Sequence, residues 1–201
     1  GVTYDLQLQP QQPLVVFGTN SVSRKAADPT AASYYLTFPR LAVKGTMNWR
    51  GEKLSVHGQA WMDHEISSSQ LGRDQAGWDW CCLQLNDGRE IMAYRMRRED
   101  GSQDNFSTLA WVSTNAVVAQ LPSADFRMET VRTWKSPVSG AKYPVSIKLL
   151  THEPTSRKPV AFILEPLADN QELAGGGLAY WEGACRVHDE SGREIGSAFL
   201  E

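Results

Sequence analysis

Apolar and polar residues alternate with a period of two along most of this chain. Such runs cover 41–48, 53–61, 78–85, 89–97, 106–112, 116–121, 145–150, 159–165, 180–187 and 195–200, each bounded by Gly, Pro, Asn, Asp or Ser. Each reads as a β-strand with one face turned toward a core. No stretch of about a dozen residues carries the 3.6-residue period of an amphipathic helix. About ten strands joined by tight turns predict an all-β protein, an antiparallel barrel or sandwich. The alternation is already present at Val2, Tyr4, Leu6 and Leu8. The first strand is therefore expected to find partners in a segment upstream of Gly1.

Two short runs depart from this plain pattern, AWMDHE at 60–65 and GWDWCCLQL at 77–85. The second leads into Asn86-Asp87-Gly88-Arg89, where Asp-Gly suits the central positions of a two-residue type I′ hairpin. That turn sets Met92 opposite Leu83, Tyr94 opposite Cys81, Arg95 opposite Trp80 and Met96 opposite Asp79. One face of the hairpin then carries Cys81, Leu83, Leu85, Met92, Tyr94 and Met96, with Asp79 as its only acid; Trp78, Trp80, Arg95 and Arg97 share the other. If the apolar face lines an interior, desolvation raises the pKa of Asp79 and makes it a candidate proton donor, with Tyr94 placed to share the proton. A position at a barrel rim would leave the same carboxylate wet and ionised.

In AWMDHE, alternation puts Trp61, Asp63 and Glu65 on one face and Met62 and His64 on the other. Asp63 and Glu65 form a same-face acid pair. His64 is a candidate base, or a hydrogen-bonded histidine on the apolar face of Val56, Ala60 and Met62. Three consecutive strand residues cannot converge on one ion, so no metal site is expected. Trp61, Trp78 and Trp80 read as aromatics that cement a seam, with Arg95 stacked on Trp80.

Composition removes several function classes. A formal net charge of −3, a pI near 5.8 and no basic stripe offer nothing to a phosphate backbone, so nucleic acid is not an expected partner. No apolar run reaches the length of about 18 residues that spans a bilayer. Cys81, Cys82 and Cys185 lack metal-ligand spacing and suggest no disulfide framework. No serine elbow, zinc helix, phosphate loop or dinucleotide fingerprint is present, and no cofactor is expected. Residues 20–30 and 101–104 read as connecting loops, a domain boundary is expected at 99–104, and Gly175-Gly176-Gly177 reads as a turn.

The pieces ASYYLTFPRLAVKGTM (32–47), GQAWMDHEISSSQL (58–71), GWDWCCLQLNDGREIMAYRMRREDGS (77–102) and YWEGACRV (180–187) together resemble the carotenoid 1,2-hydratases and their AttH-like relatives, a group also labelled predicted secreted hydrolases. After the Asp-His element the hydratases continue with Asn, an aromatic and Gly. Here Glu65, Ile66 and Ser67 follow, nearer the AttH-like branch. The resemblance implies two lipocalin-like β-barrels in tandem, the first incomplete and filling residues 1–100, the second filling 101–201. It implies an apolar small-molecule ligand such as an isoprenoid, polyene or lipid, and a periplasmic or secreted location. The chemistry implied is protonation of an alkene followed by water capture or cyclisation, a hydratase-like lyase or a cyclase using general acid catalysis. Asp63, His64, Asp79 and Tyr94 would be the catalytic set. Trp61, Glu65, Trp78, Trp80, Cys81, Met92 and Met96 would be the ligand wall. The alternative is a non-catalytic lipid or isoprenoid carrier of the cell envelope.

Overall fold

The structure is a computed structural model that describes residues 1–175 and 178–201, so Gly176 and Gly177 of the expected glycine turn lie outside the described residues. It is all-β and antiparallel, with one 3-10 turn at Ser123–Asp125. The first strands are β1 (Val2–Pro10), β2 (Val15–Phe17), β3 (Ser23–Arg24), β4 (Ala32–Trp49) and β5 (Glu52–Ser67). β4 organises this sheet, pairing with β5 along its whole length on one side and with β1, β2 and β3 on the other.

Next come β6 (Gln75–Leu85), β7 (Glu90–Arg98), β8 (Thr108–Val112), β9 (Val118–Pro122), β10 (Arg127–Lys135), β11 (Lys142–His152) and β12 (Pro159–Pro166). The chain ends with β13 (Glu172–Gly175), β14 (Leu178–Trp181), β15 (Gly183–His188) and β16 (Glu194–Leu200). β13 and β14 form a separate ribbon, and the others build a nine-stranded sheet in the order β10-β11-β12-β15-β16-β6-β7-β8-β9. Hydrogen bonding passes from one large sheet to the other between Ser67 and Gln75, ahead of the loop at 101–104. AWMDHE and GWDW therefore belong to different sheets.

The nine-stranded sheet wraps around one core. Leu83, Ile91, Leu109, Val145, Leu149, Leu164, Val187 and Leu200 are inaccessible or nearly so and form one cluster. Alternation supplies an inward residue from every strand, and these side chains fill the interior. Cys81 and Cys185 belong to this filling. The opposite face of β6, β7 and β8 packs against the β4 sheet through Met92, Tyr94, Met96, Ala110 and Val112, which meet Val15, Phe17 and Tyr35.

The β6–β7 hairpin differs from the expected one by a single residue. Leu85 N–H donates to Arg89 O, and Gly88, at φ +87°, closes a three-residue loop of Asn86, Asp87 and Gly88. Only one loop residue takes positive φ, whereas a type I′ turn needs two, and glycine supplies it without a Cβ clash. The register becomes Leu83↔Ile91, Cys82↔Met92, Trp80↔Tyr94, Asp79↔Arg95 and Trp78↔Met96. Trp78, Trp80, Met92, Tyr94 and Met96 consequently share a face, and Asp79 shares the other with Cys81, Arg95 and Arg97. The expected grouping of Asp79 with Tyr94 and the stacking of Arg95 on Trp80 are both replaced.

β1, the distal half of β4 and β5 present an apolar face to solvent. Val2, Tyr4 and Leu8 lie beside Trp49 and Leu54, and Tyr4 is 72% exposed. Among the described residues, the outer edges of β1 and β5 carry no strand partner. No helix of the described residues is long and apolar enough to cross a membrane.

Candidate active site

A β-bulge in β4 prepares the site. Pro39, which has no N–H to give a ladder, sits where the register against β5 slips between Phe38 and Leu41. Before the slip, Ser33, Tyr35 and Thr37 face Ser67, Glu65 and Asp63, as alternation in AWMDHE requires. Leu36 and Phe38 pair with His64 and Met62, so His64 stands on the other face, exposed to solvent.

The inward face of this β4–β5 segment and the Trp-rich face of β6 enclose a cleft of about 340 Å³. Asp63 is its most heavily hydrogen-bonded acid. Its Oδ1 accepts from Thr37 Oγ1 at 2.5 Å and Trp61 Nε1 at 2.7 Å, and its Oδ2 accepts from the Tyr35 hydroxyl at 2.9 Å. Trp80 Nε1 in turn donates to the Tyr35 oxygen at 2.9 Å, which orients the phenol toward the carboxylate. The Trp61 and Trp80 rings meet edge to face at 6.4 Å. The Asp63 carboxyl is reached by water through the cleft mouth although protein surrounds it on its other sides. Those surroundings push its proton affinity up while the Thr37, Trp61 and Tyr35 donors pull it down.

The second anchor is Lys25, only 6% exposed. Its Nζ lies 2.9 Å from Glu65 Oε1, which also accepts from Ser33 at 2.7 Å, and it sits 4.0 Å from the Tyr94 ring centre and 4.7 Å from that of Tyr35. Burial lowers the Lys25 pKa, opposed by Glu65 and Asp63. The Tyr94 hydroxyl pairs with Ser23 Oγ at 3.0 Å, and burial pushes its pKa up to about 12. Tyr94 is thus a wall and a cation-π partner, with its hydroxyl already engaged.

Glu182 and Glu201 complete the acidic lining, and burial raises both. Repulsion from Glu182, Glu65 and Asp63 adds to the rise at Glu201. Beyond Trp80, Asp63 and Glu182 the cleft borders a second chamber of about 630 Å³, whose walls include Trp61, Cys82, Leu167, Ala198 and Phe199. One chamber is polar and aromatic; its neighbour is the more apolar of the two, although Gln59, Gln84 and Ser197 also line it.

Of the residues singled out from sequence, Asp63, Glu65, Trp78, Trp80, Tyr94 and Met96 line the first chamber and Trp61 the second. Met92 is buried between the sheets and Cys81 in the core, so neither reaches the cleft. Asp79 lies on the opposite face of β6, where Arg97 Nη1 is 2.7 Å and Arg95 Nη1 3.5 Å from its carboxylate. Burial raises its pKa against both guanidiniums, and the apolar surroundings expected for it are instead two cations. Lys25, Tyr35, Glu182 and Glu201 were not singled out from the sequence. Lys25 falls in a segment that reads as a polar loop, whereas the Trp-Glu-Gly of YWEGACRV did carry a signal. Gly183 is obligatory there, because a Cβ would lie 2.2 Å from the Trp181 ring and 2.6 Å from Gln171 Nε2. A Gly183→Ala protein should lose roughly 1–3 kcal/mol in urea unfolding, the usual cost of overpacking. An unchanged midpoint would show that Trp181 does not fold over this glycine.

The chain belongs to the AttH-like family, whose profile matches residues 1–201. A crystal structure of a protein from Nitrosomonas europaea, provisionally assigned as AttH, superposes with a TM-score of 0.88 at 34% identity, covering 100% of this chain and 61% of that one. Kievitone hydratase from Nectria haematococca superposes with a TM-score of 0.74 at 18% identity, over 99% of this chain and 60% of its own, and at that identity shows a shared fold. This chain thus spans about 61% and 60% of the two solved relatives. A comparison with curated proteins gives no match.

Proposed function

We propose that the cleft binds an apolar small molecule carrying an alkene, of the isoprenoid or polyene class, and catalyses its acid-assisted hydration or cyclisation. The observation that carries this reading is the joint surface of the two chambers. Trp80 presents an aromatic face beside the Asp63 and Glu182 carboxyls, with a more apolar compartment adjoining. Protonating an alkene creates a carbocation, which aromatic faces and carboxylates stabilise and bulk water would quench unselectively. The kinship with kievitone hydratase agrees with such chemistry.

The same reading extends to the architecture. The exposed apolar face of β1, β4 and β5 would be covered by strands from a segment preceding Gly1, completing the first of two tandem lipocalin-like barrels in a periplasmic or secreted protein. The solved relatives are long enough to hold such a segment.

The test uses the full-length protein and a dimethylallyl-substituted phenol as probe. Binding should quench the fluorescence of Trp78 and Trp80, and incubation in H2¹⁸O should give a product heavier by one labelled water, or an isomer of unchanged mass if cyclisation prevails. Quenching without conversion would identify a carrier and overturn the catalytic reading. No quenching by this probe or by a longer isoprenoid alcohol would overturn the binding site itself.

A further inference from the structure

Glu182 sits where β14 ends and β15 begins. Trp181 before it is buried in the nine-stranded core, with Nε1 donating to Asp169 O at 2.7 Å, and Gly183 after it lies under the Trp181 ring. With its neighbours turned inward, Glu182 projects from the sheet to the cleft, where it lines both chambers together with Asp63 and Trp80.

The other carboxylates near this point are committed. Asp63 accepts from Thr37, Trp61 and Tyr35, Glu65 accepts from Ser33 and holds Lys25, and Glu201, which burial also raises, accepts from Trp78. The Glu182 carboxyl has no side-chain partner among the described residues, and the one influence on its proton affinity is burial, which raises it. Donors on an acceptor favour its ionised form, whereas a carboxyl without donors or cations in a confined site holds its proton to higher pH.

From this geometry we infer that Glu182 is the proton donor of the alkene reaction and Asp63 the acceptor facing it, with the reacting double bond held against Trp80 where the chambers meet. The inference rests on the function proposed above and adds which cleft carboxyl gives the proton and which one receives it, with the apolar part of the substrate in the second chamber. The carboxyl proton of Glu182 and the alkene π pair form a new C–H bond at the less substituted carbon. The more substituted carbon becomes a cation beside the indole. A water molecule forms the C–O bond with a lone pair and gives its proton to the Asp63 carboxylate. Solvent then removes that proton and reprotonates Glu182. Alkene plus water becomes a tertiary alcohol, with no other reactant.

Glu182→Gln preserves size and removes the acid. Against the dimethylallyl phenol in H2¹⁸O, it should keep fluorescence quenching within about twofold and lose about 100- to 10,000-fold in turnover, the range of a missing general acid. Its pH profile should lack the limb on which the wild-type rate falls with rising pH. Carbon-13 labelling of the glutamate carboxyls should also show one resonance, absent from Glu182→Gln, titrating above the ordinary glutamate range. Wild-type turnover that Glu182→Gln leaves intact overturns the assignment and spares the hydratase reading. A wild-type protein that binds the probe without converting it overturns the reaction reading. A Glu182 resonance titrating in the ordinary range overturns the assignment whatever the substrate.

Discussion

Replacing Glu90 with alanine lowers the stability of the folded chain by about 3–5 kcal/mol, the expected cost of breaking a buried ion pair from one side. Glu90 lies on β7 with no accessible surface, on the face turned to the β4 sheet. Arg40 Nε, on β4, donates to its Oε1 at 2.6 Å, and Gln12 Nε2, between β1 and β2, reaches both oxygens at 2.9 and 2.8 Å. Arg40 also donates to Leu85 O and Gln12 to Gly88 O, so two side chains from one sheet clasp the hairpin of the other. Without the carboxylate, the Arg40 guanidinium stays in a poorly solvated place with only carbonyl partners. Urea unfolding measures the loss. Glu90→Leu combined with Arg40→Met should recover much of it, since an apolar pair of similar volume carries no stranded charge. A loss below about 1 kcal/mol for the alanine variant would mean the clasp contributes nothing net.

This clasp also indicates which features sequence patterns can and cannot reveal. Strands buried on one face, such as 195–200, are legible because their alternation is the imprint of a core on one side. β10 is not, since only Met128 among its residues is buried and a bulge near Arg132 interrupts its pairing. A mostly solvated strand has no apolar stripe to read. The β6–β7 hairpin was legible as a hairpin, but its register depended on loop length. Asp-Gly serves the two-residue loop and, with Gly at the third position, the three-residue loop equally well, and the difference of one residue reversed which face Asp79 shares. The candidate site divides along the same line. Asp63 and Glu65 follow from local alternation in a continuous strand, whereas Lys25 and Glu182 enter from a loop and a strand break, where no period operates and only tertiary packing assigns a direction.

Joining those two kinds of residue explains why AWMDHE and GWDW, although on different sheets, act together. Trp80 donates across the seam to Tyr35, Tyr35 donates to Asp63, and Trp61 of Asp63's own strand donates to the same carboxylate, so this relay from β6 ends on one acid. The tryptophans are therefore both seam and wall. Their indole N–H groups satisfy Tyr35 and Asp63, and their ring faces are left for the ligand.

Asp63→Asn should reduce turnover of the alkene probe by about 100- to 10,000-fold while the probe still quenches the cleft tryptophans, because an amide retains the shape but cannot take a proton from water. The sign of the pH dependence separates this variant from Glu182→Gln. A proton acceptor works only when ionised, so the wild-type rate climbs with pH as Asp63 loses its proton and falls again as Glu182 loses its own. Burial raises both groups; at Asp63 the Thr37, Trp61 and Tyr35 donors oppose that rise and the Glu65 charge adds to it. Asp63→Asn should abolish the rising limb and Glu182→Gln the falling one, converting a bell into two opposite half-curves. Tyr35→Phe, which withdraws one donor from Asp63, should move the rising limb to higher pH without abolishing it. Turnover in Asp63→Asn equal to wild type, with the rising limb intact, would remove Asp63 from the chemistry and leave it as the bond that holds the two sheets in register around the cleft.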